Sequence, residues 1–297
     1  MTTSVAAVKA EAKRPAKTDR ELVAKASFGW GNPVVYFIAL LLVAVTFAPI
    51  LWIVVNGFNS NSQMTIDPST WPNPFLAENY ATVLTSNDFW KPALNSTIAA
   101  VSTTAGVVLF GVMAAFVLAR YNFVGRGVLY SVFAAGLMFP MSVAITPLFF
   151  IILNLGLMNN LLGVILPGIA FALPTTIIIL VPFLRAIPKE LEEAAMLDGA
   201  SRMGFFWRII VPLAVPGLVT VGILAFIGSW NGYMLPLFIL NPENATLPLG
   251  AANFSTQHTT DTAMVLAYTS LSMIPALIFF SLFERRIVGG LTGAVKG

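Results

Sequence analysis

EEAAMLDGASRMGFFWRIIVP, Glu192 to Pro212, interrupts one of the most apolar parts of this chain with a compact charged segment. Its local chemistry reads as a short helix followed by a second one. Pro188 suits the first position of a helix, where its missing N–H costs nothing. Glu190, Glu192 and Glu193 follow in the first turns, where the positive end of the helix dipole favours acids. Leu191 and Ala195, four apart, share a face with Ala194 beside them. Gly199 can end the helix in the left-handed conformation, and Ser201 can cap the next. The second helix runs from Arg202 into an apolar stretch, with Val211-Pro212 near its membrane entry.

The surroundings of this segment define the class of protein. The 297 residues are 57% hydrophobic and only 10% charged, with a mean hydropathy of +0.84. Soluble domains carry about 25% charged residues, so the sequence describes an integral membrane protein. Six runs are long enough to cross a bilayer, which takes about 20 apolar residues: Pro33–Val55, Ala93–Leu118, Gly127–Leu153, Leu161–Leu184, Ile209–Gly228 and Thr262–Phe283. None contains Asp, Glu, Lys, Arg or His. The first exceeds the length of a signal-peptide core and is followed by no small-x-small cleavage site, so it is expected to stay as a span. Cysteine is absent and His258 is the single histidine, which leaves no thiolate or His-based metal site.

Charge then sets the orientation. Of the 16 basic residues, all but Lys91 fall in the N-terminal tail, the second-to-third and fourth-to-fifth connections, and the C-terminal tail. By the positive-inside rule those parts, both termini included, are cytoplasmic. The basic pI, about 9.3, therefore reports topology and gives no ground for nucleic-acid binding.

Residues 1–32 read as a flexible cytoplasmic tail, 33–283 as the transmembrane domain with the charged helix at about 188–199, and 284–297 as a cytoplasmic C-terminal tail. Two long outside loops, Asn56–Pro92 and Ser229–Asp261, present the outer surface, and Trp71 and Trp90 are candidate interfacial anchors. The short loop Leu155–Asn160 makes spans three and four antiparallel neighbours. Small residues in AAVSTTAG (Ala99–Gly106) and VAVTFAP (Val43–Pro49) permit close helix approach. Prolines punctuate spans three to six and predict kinks, around a wet path or as ordinary membrane-helix packing.

No span carries the ionisable group that a gradient-coupled transporter usually needs. There is no G-x-x-x-x-G-K-[ST] loop for nucleotide phosphates either. The chain is therefore a passive pore or scaffold, or it takes energy from a partner through a cytoplasmic contact. Glu192–Pro212 supplies the candidate contact: a short helix across the cytoplasmic ends of the spans, tied to the fourth and fifth.

These residues resemble the EAA loop of ABC-importer permeases, E-A-A, three residues, G, nine residues, I-x-L-P. Glu193, Ala194, Ala195, Gly199, Ile209 and Pro212 match, and Val211 stands in place of the Leu. SWNGYMLPL (Ser229–Leu237), LPLGAANF (Leu247–Phe254) and the ending RRIVGGLTGAVKG (Arg285–Gly297) are similar to the six-span permease of maltose-type carbohydrate importers, although one small residue is missing between Thr292 and Gly293. The resemblance covers residues 30–297. It implies an all-α type I importer fold in a bacterial or archaeal cytoplasmic membrane. Its expected partners are a second related permease, two ATPase subunits that bind the ATP and Mg, and an extracytoplasmic solute-binding protein. This chain would hold no cofactor, catalyse nothing itself and carry sugar.

The resemblance makes Glu193, Ala194, Ala195 and Gly199 the ATPase-coupling residues and Lys296 a tail contact to the ATPases. It also turns the loop Ser229–Asp261 toward the binding protein. Asn95, Ser96, Thr146, Thr175 and Asn231, polar groups in or beside spans, are the candidates for the sugar path, although such hydroxyls commonly bond their own helix. The same machinery could carry another solute, such as a glycerol-phosphate or an organic anion. An energy-independent channel or scaffold is the alternative of a different class.

Overall fold

A computed structural model describes residues 33–68, 71–254 and 261–295, with side chains as far as Ala252 in the second stretch and Phe283 in the third. The expected tail 1–32, His258 and Lys296 lie outside the described residues. Every regular element among the described residues is helical. In order these are α1 (Pro33–Asn56), α2 (Asn61–Ile66), α3 (Glu78–Thr85), α4 (Asn87–Arg120), α5 (Arg126–Gly136), α6 (Met141–Asn154), α7 (Leu162–Arg185), α8 (Glu190–Leu197), α9 (Arg202–Phe205), α10 (Val211–Trp230), α11 (Met234–Ile239), α12 (Leu247–Gly250) and α13 (Thr262–Val295). The chain divides into two units. The first ends at Leu51 and contributes the N-terminal part of α1; the second begins at Trp52.

Among the described residues five helices are long and apolar enough to cross a membrane: α1, α4, α7, the continuous helix Arg202–Trp230, and α13 up to Phe283. The third apolar run departs from expectation. It does not form one helix over Gly127–Leu153 but two, α5 and α6, bent by 103° to each other. Pro140 explains the break. It cannot donate to a helical ladder, it drives Phe139 away from the α region, and it sits at the N-cap of α6 in an extended conformation. Taken as one broken span, the pair brings the total to six.

The long loop Asn56–Pro92 holds α2, α3 and the first turns of α4. Ser60 caps α2 by accepting from the Gln63 amide at 3.2 Å. The hydroxyl of Tyr80 in α3 donates to the Val54 carbonyl at 2.7 Å and lies 3.2 Å from the Ser270 hydroxyl. Its ring lies 4.3 Å from that of Phe58, which also stacks on Phe75 at 4.2 Å. Burial pushes the Tyr80 phenol above its ordinary pKa, with the Ser270 hydrogen bond acting in the opposite sense. A local hydrogen-bonded knot of this kind leaves no hydrophobic period to find in sequence.

In the second unit α4 is the central helix, packed along α7 and α10. Lipid tails are as apolar as leucine, so such helices associate through close contact rather than through expulsion of water. The small residues of α4 provide it. A Cβ on Gly111 would collide with the short, β-branched Thr176 and hold α7 off, whereas one on Gly106 would meet the flexible end of Ile169. One cluster joins Val112, Ala115, Phe116 and Leu118 of α4 to Ile177, Leu180, Val181 and Leu184 of α7 and to Phe205, Ile210 and Ala214. A second gathers Val83, Phe89, Trp230, Leu247, Tyr268 and Leu271 at the other end.

Candidate functional site

The helix predicted at about 188–199 exists as α8, Glu190–Leu197, between α7 and α9. Glu190, Glu192 and Glu193 occupy its first turn. Its end is closed by two hydrogen bonds: the Gly199 amide donates to the Met196 carbonyl at 3.1 Å, and the Ala200 amide donates to the Ala195 carbonyl at 2.9 Å. With Gly199 at φ +78°, this is a Schellman closure, which needs a residue able to enter the left-handed region. Ser201 then caps α9, its hydroxyl accepting from the Gly204 amide at 3.1 Å. One π turn, Phe206–Ile210, leads into α10, and this wider turn precedes Pro212, which has no N–H to offer the ladder. The short helix is therefore joined to α7 and α10 through two turns of fixed geometry.

The four sequence-selected residues of this segment do not share one environment. Glu193, Ala194 and Gly199 are exposed. Ala195 is 6% exposed and belongs to the cluster formed by α4, α7 and α10. Its small side chain seats α8 against its own protein, while Leu191, Met196 and Leu197 expose apolar surface beside Glu193 and Ala194. The free face is thus acidic and apolar in alternation, with Leu197 89% exposed.

Two neighbouring residues at the end of α4 flank this helix, and sequence reasoning missed their role. Arg120 donates through Nη2 to the carbonyl of Ile187, before α8, at 2.8 Å. The ring of Tyr121 lies 5.5 Å from the guanidinium of Arg202, after α8. The available signal was weak: Arg120 was counted only as a topological charge, and a contact across 67 residues leaves no period in the chain.

The candidates for a solute path fall apart by location. A cavity of about 300 Å³ is lined by Thr103 of α4, Met141 of α6, Phe171 and Thr175 of α7, and Ser229 and Tyr233 near the end of α10, among others. Of the sequence-selected residues Thr175 lines it. Asn95 and Ser96 are engaged elsewhere: Asn95 Nδ2 donates to the Ala245 carbonyl at 3.0 Å, and the Ser96 hydroxyl accepts from the Leu247 amide at 2.8 Å. Asn231 is the exposed C-cap of α10, and Thr146 is exposed on α6; neither is among the lining residues. Thr103, Phe171 and Tyr233 went unnoticed, Thr103 because AAVSTTAG reads as a packing stripe. The named lining residues carry no charge.

Comparisons with known proteins agree with this architecture. Residues 107–288 match the family model described as binding-protein-dependent transport system inner membrane component. The chain is 40% identical over 261 residues to a trehalose transport system permease protein of Mycobacterium tuberculosis, covering 86% of this chain and 95% of that one. It is 37% identical over 259 residues to a diacetylchitobiose uptake system permease protein of Streptomyces coelicolor, covering 86% of each. A sulfoquinovosyl glycerol transport system permease protein of Agrobacterium fabrum is 34% identical over 274 residues, covering 91% of this chain and 96% of that one. Among solved structures, a bacterial ABC transporter that imports the acidic polysaccharide alginate superposes with a TM-score of 0.73 at 22% identity, covering 91% of this chain and 98% of that one.

Proposed function

The chain belongs to the family of binding-protein-dependent transport system inner membrane components, and on that premise we propose that it is one permease subunit of an ATP-driven sugar importer. The observation that carries the reading is α8. It is a short helix with a rigid Schellman closure and an exposed face, fixed between two membrane helices of a chain that has no phosphate-binding loop of its own. A partner ATPase gripping that face would move α7 and α10 together. Glu193, Ala194 and Gly199 form the gripped surface, and Ala195 holds the helix to the bundle.

In this reading a second related permease completes the path, two ATPase subunits bind ATP and Mg, and an extracytoplasmic solute-binding protein delivers the sugar. The α8 side and both termini are cytoplasmic, and Lys296 is a tail contact to the ATPases. The cavity between α4, α7 and α10 forms this chain's wall of the path, with Thr103, Thr175, Ser229 and Tyr233 offering hydroxyls and Phe171 an apolar ring face. The names of the relatives support sugar as cargo. This chain's lining offers no Arg or Lys to a phosphorylated solute, so for such a cargo the second permease would have to supply them.

The decisive experiment purifies the affinity-tagged chain with its co-expressed neighbours and follows nucleotide hydrolysis. A sugar importer gives ATPase activity that rises on addition of sugar-loaded binding protein and falls away with Gly199→Val. A chain that purifies free of any ATPase while still passing solute across vesicles is a channel, and the proposal fails.

A further inference from the structure

Arg120 and Tyr121 are consecutive, at the last residue and the C-cap of α4. They contact residues that precede and follow α8 in the chain. Ile187, which accepts from Arg120, lies three residues before the helix, and Arg202, over the Tyr121 ring, lies five residues after it. A covalent chain already ties α8 to α7 and α10. These two contacts add a third attachment, to a helix that is remote in sequence. The anchoring end of α4 is itself fixed: the Tyr121 amide donates to Val117 at 3.1 Å. The Phe116 ring, 5.6 Å from that of Tyr121, lies 4.9 Å from Phe206 in the π turn. Arg185 at the end of α7 faces Tyr130 of α5 at 6.0 Å, so the broken span is also tied to this end of the bundle.

We propose that Arg120 and Tyr121 are positioning residues of the coupling helix, clamping its two shoulders to α4 so that α4, α7 and α10 move with it as one body. This rests on the coupling role of α8 proposed above. Without the clamp, a push on α8 moves α7 and α10 through the chain alone and leaves α4 behind, and hydrolysis no longer drives the three spans together. Arg120 gives a charge-assisted hydrogen bond, the stronger kind. Tyr121 gives a ring face to a guanidinium, which phenylalanine retains and leucine does not.

The test uses the complete transporter in proteoliposomes, with uptake and ATP hydrolysis measured per assembled complex. Arg120→Ala combined with Tyr121→Leu is expected to leave subunit stoichiometry unchanged. The ratio of sugar taken up to ATP hydrolysed should fall about tenfold, the scale set by losing one hydrogen bond to a charged group. Tyr121→Phe is expected to behave as the unaltered protein. Should the double variant assemble poorly, Tyr121→Leu alone carries the test. The chain lacks cysteine, so spin labels at Leu109→Cys and at Glu190→Cys, an exposed first-turn position of α8 outside the gripped surface, report the same point directly: one sharp distance with the clamp, a broadened one without it. An unchanged transport ratio together with an unchanged distance distribution overturns the clamp. The coupling role is judged separately: if Gly199→Val retains full uptake, that role falls and the clamp with it, whereas if Gly199→Val is inactive and the clamp variants are normal, the clamp alone is refuted.

Discussion

The amide of Leu247 donates to the hydroxyl of Ser96 at 2.8 Å in a buried position, joining residues 151 apart in sequence. With Asn95 holding the carbonyl of Ala245 at 3.0 Å, the N-terminal part of α4 fixes the entry to α12. Two polar side chains that looked like solute ligands instead satisfy backbone groups that lipid and protein could not. Ser96→Ala leaves that amide buried without its acceptor, at a cost of about 1–3 kcal/mol. The variant should unfold at a lower temperature in detergent, while sugar affinity at the cavity stays as it was. A selective rise in KM with unchanged thermal stability would return Ser96 to the sugar path.

Gly199 makes a second prediction, because the space around it is empty. No atom lies within 4 Å of where a Cβ would stand, so the penalty of substitution comes from φ +78° alone. Gly199→Asn, which tolerates the left-handed region, should retain most transport. Gly199→Val should insert normally and lose transport. Steady-state uptake at matched expression separates the two; equal loss in both would mean that the ATPase needs the bare backbone itself.

The contact of Gly111 with Thr176 gives the third. Gly111→Val forces α4 from α7, and overpacking of this kind costs about 1–3 kcal/mol. Gly222 faces only ordinary van der Waals neighbours, Val108 and Thr104, at 3.5 and 3.7 Å, so Gly222→Ala should be mild by comparison. Folded yield after solubilisation, read by size-exclusion profile, is expected to drop for the first and not for the second.

Filling the cavity is the fourth. Thr175→Trp places an indole where about 300 Å³ is open. Uptake should fall by an order of magnitude or more, while ATPase assembly is untouched. Thr146→Trp, an exposed position away from the lining, should change neither. If both variants transported normally, the cavity would not be part of the path.

Much of this protein was legible because its signals are local. Five of the six long uncharged apolar runs lie on helices long enough to cross a membrane. A helix start, a left-handed glycine and a serine cap are written in neighbouring residues, so α8 and its closure could be read from Glu192–Pro212. What faces what was not legible. A soluble helix shows its buried side by amphipathic period, but here lipid-facing and protein-facing sides are both apolar. Sequence therefore could not tell that Ala195 turns inward while Ala194 stays free. Nor could it tell that Pro140 folds a run into two helices rather than merely kinking it.

The same physics separates the two kinds of knowledge about the site. Composition, charge asymmetry and the spacing from Glu193 to Pro212 determined the class of molecule and the place of the short helix proposed as the ATPase contact. Only the packed structure decided that Asn95 and Ser96 support the segment Ala245–Leu247, that Thr175 borders a cavity, and that Arg120 and Tyr121 contact residues on both sides of α8 in the chain. Those outcomes depend on backbone groups brought together across 67 to 151 residues, and a hydrogen bond over such a separation has no trace in the order of the chain.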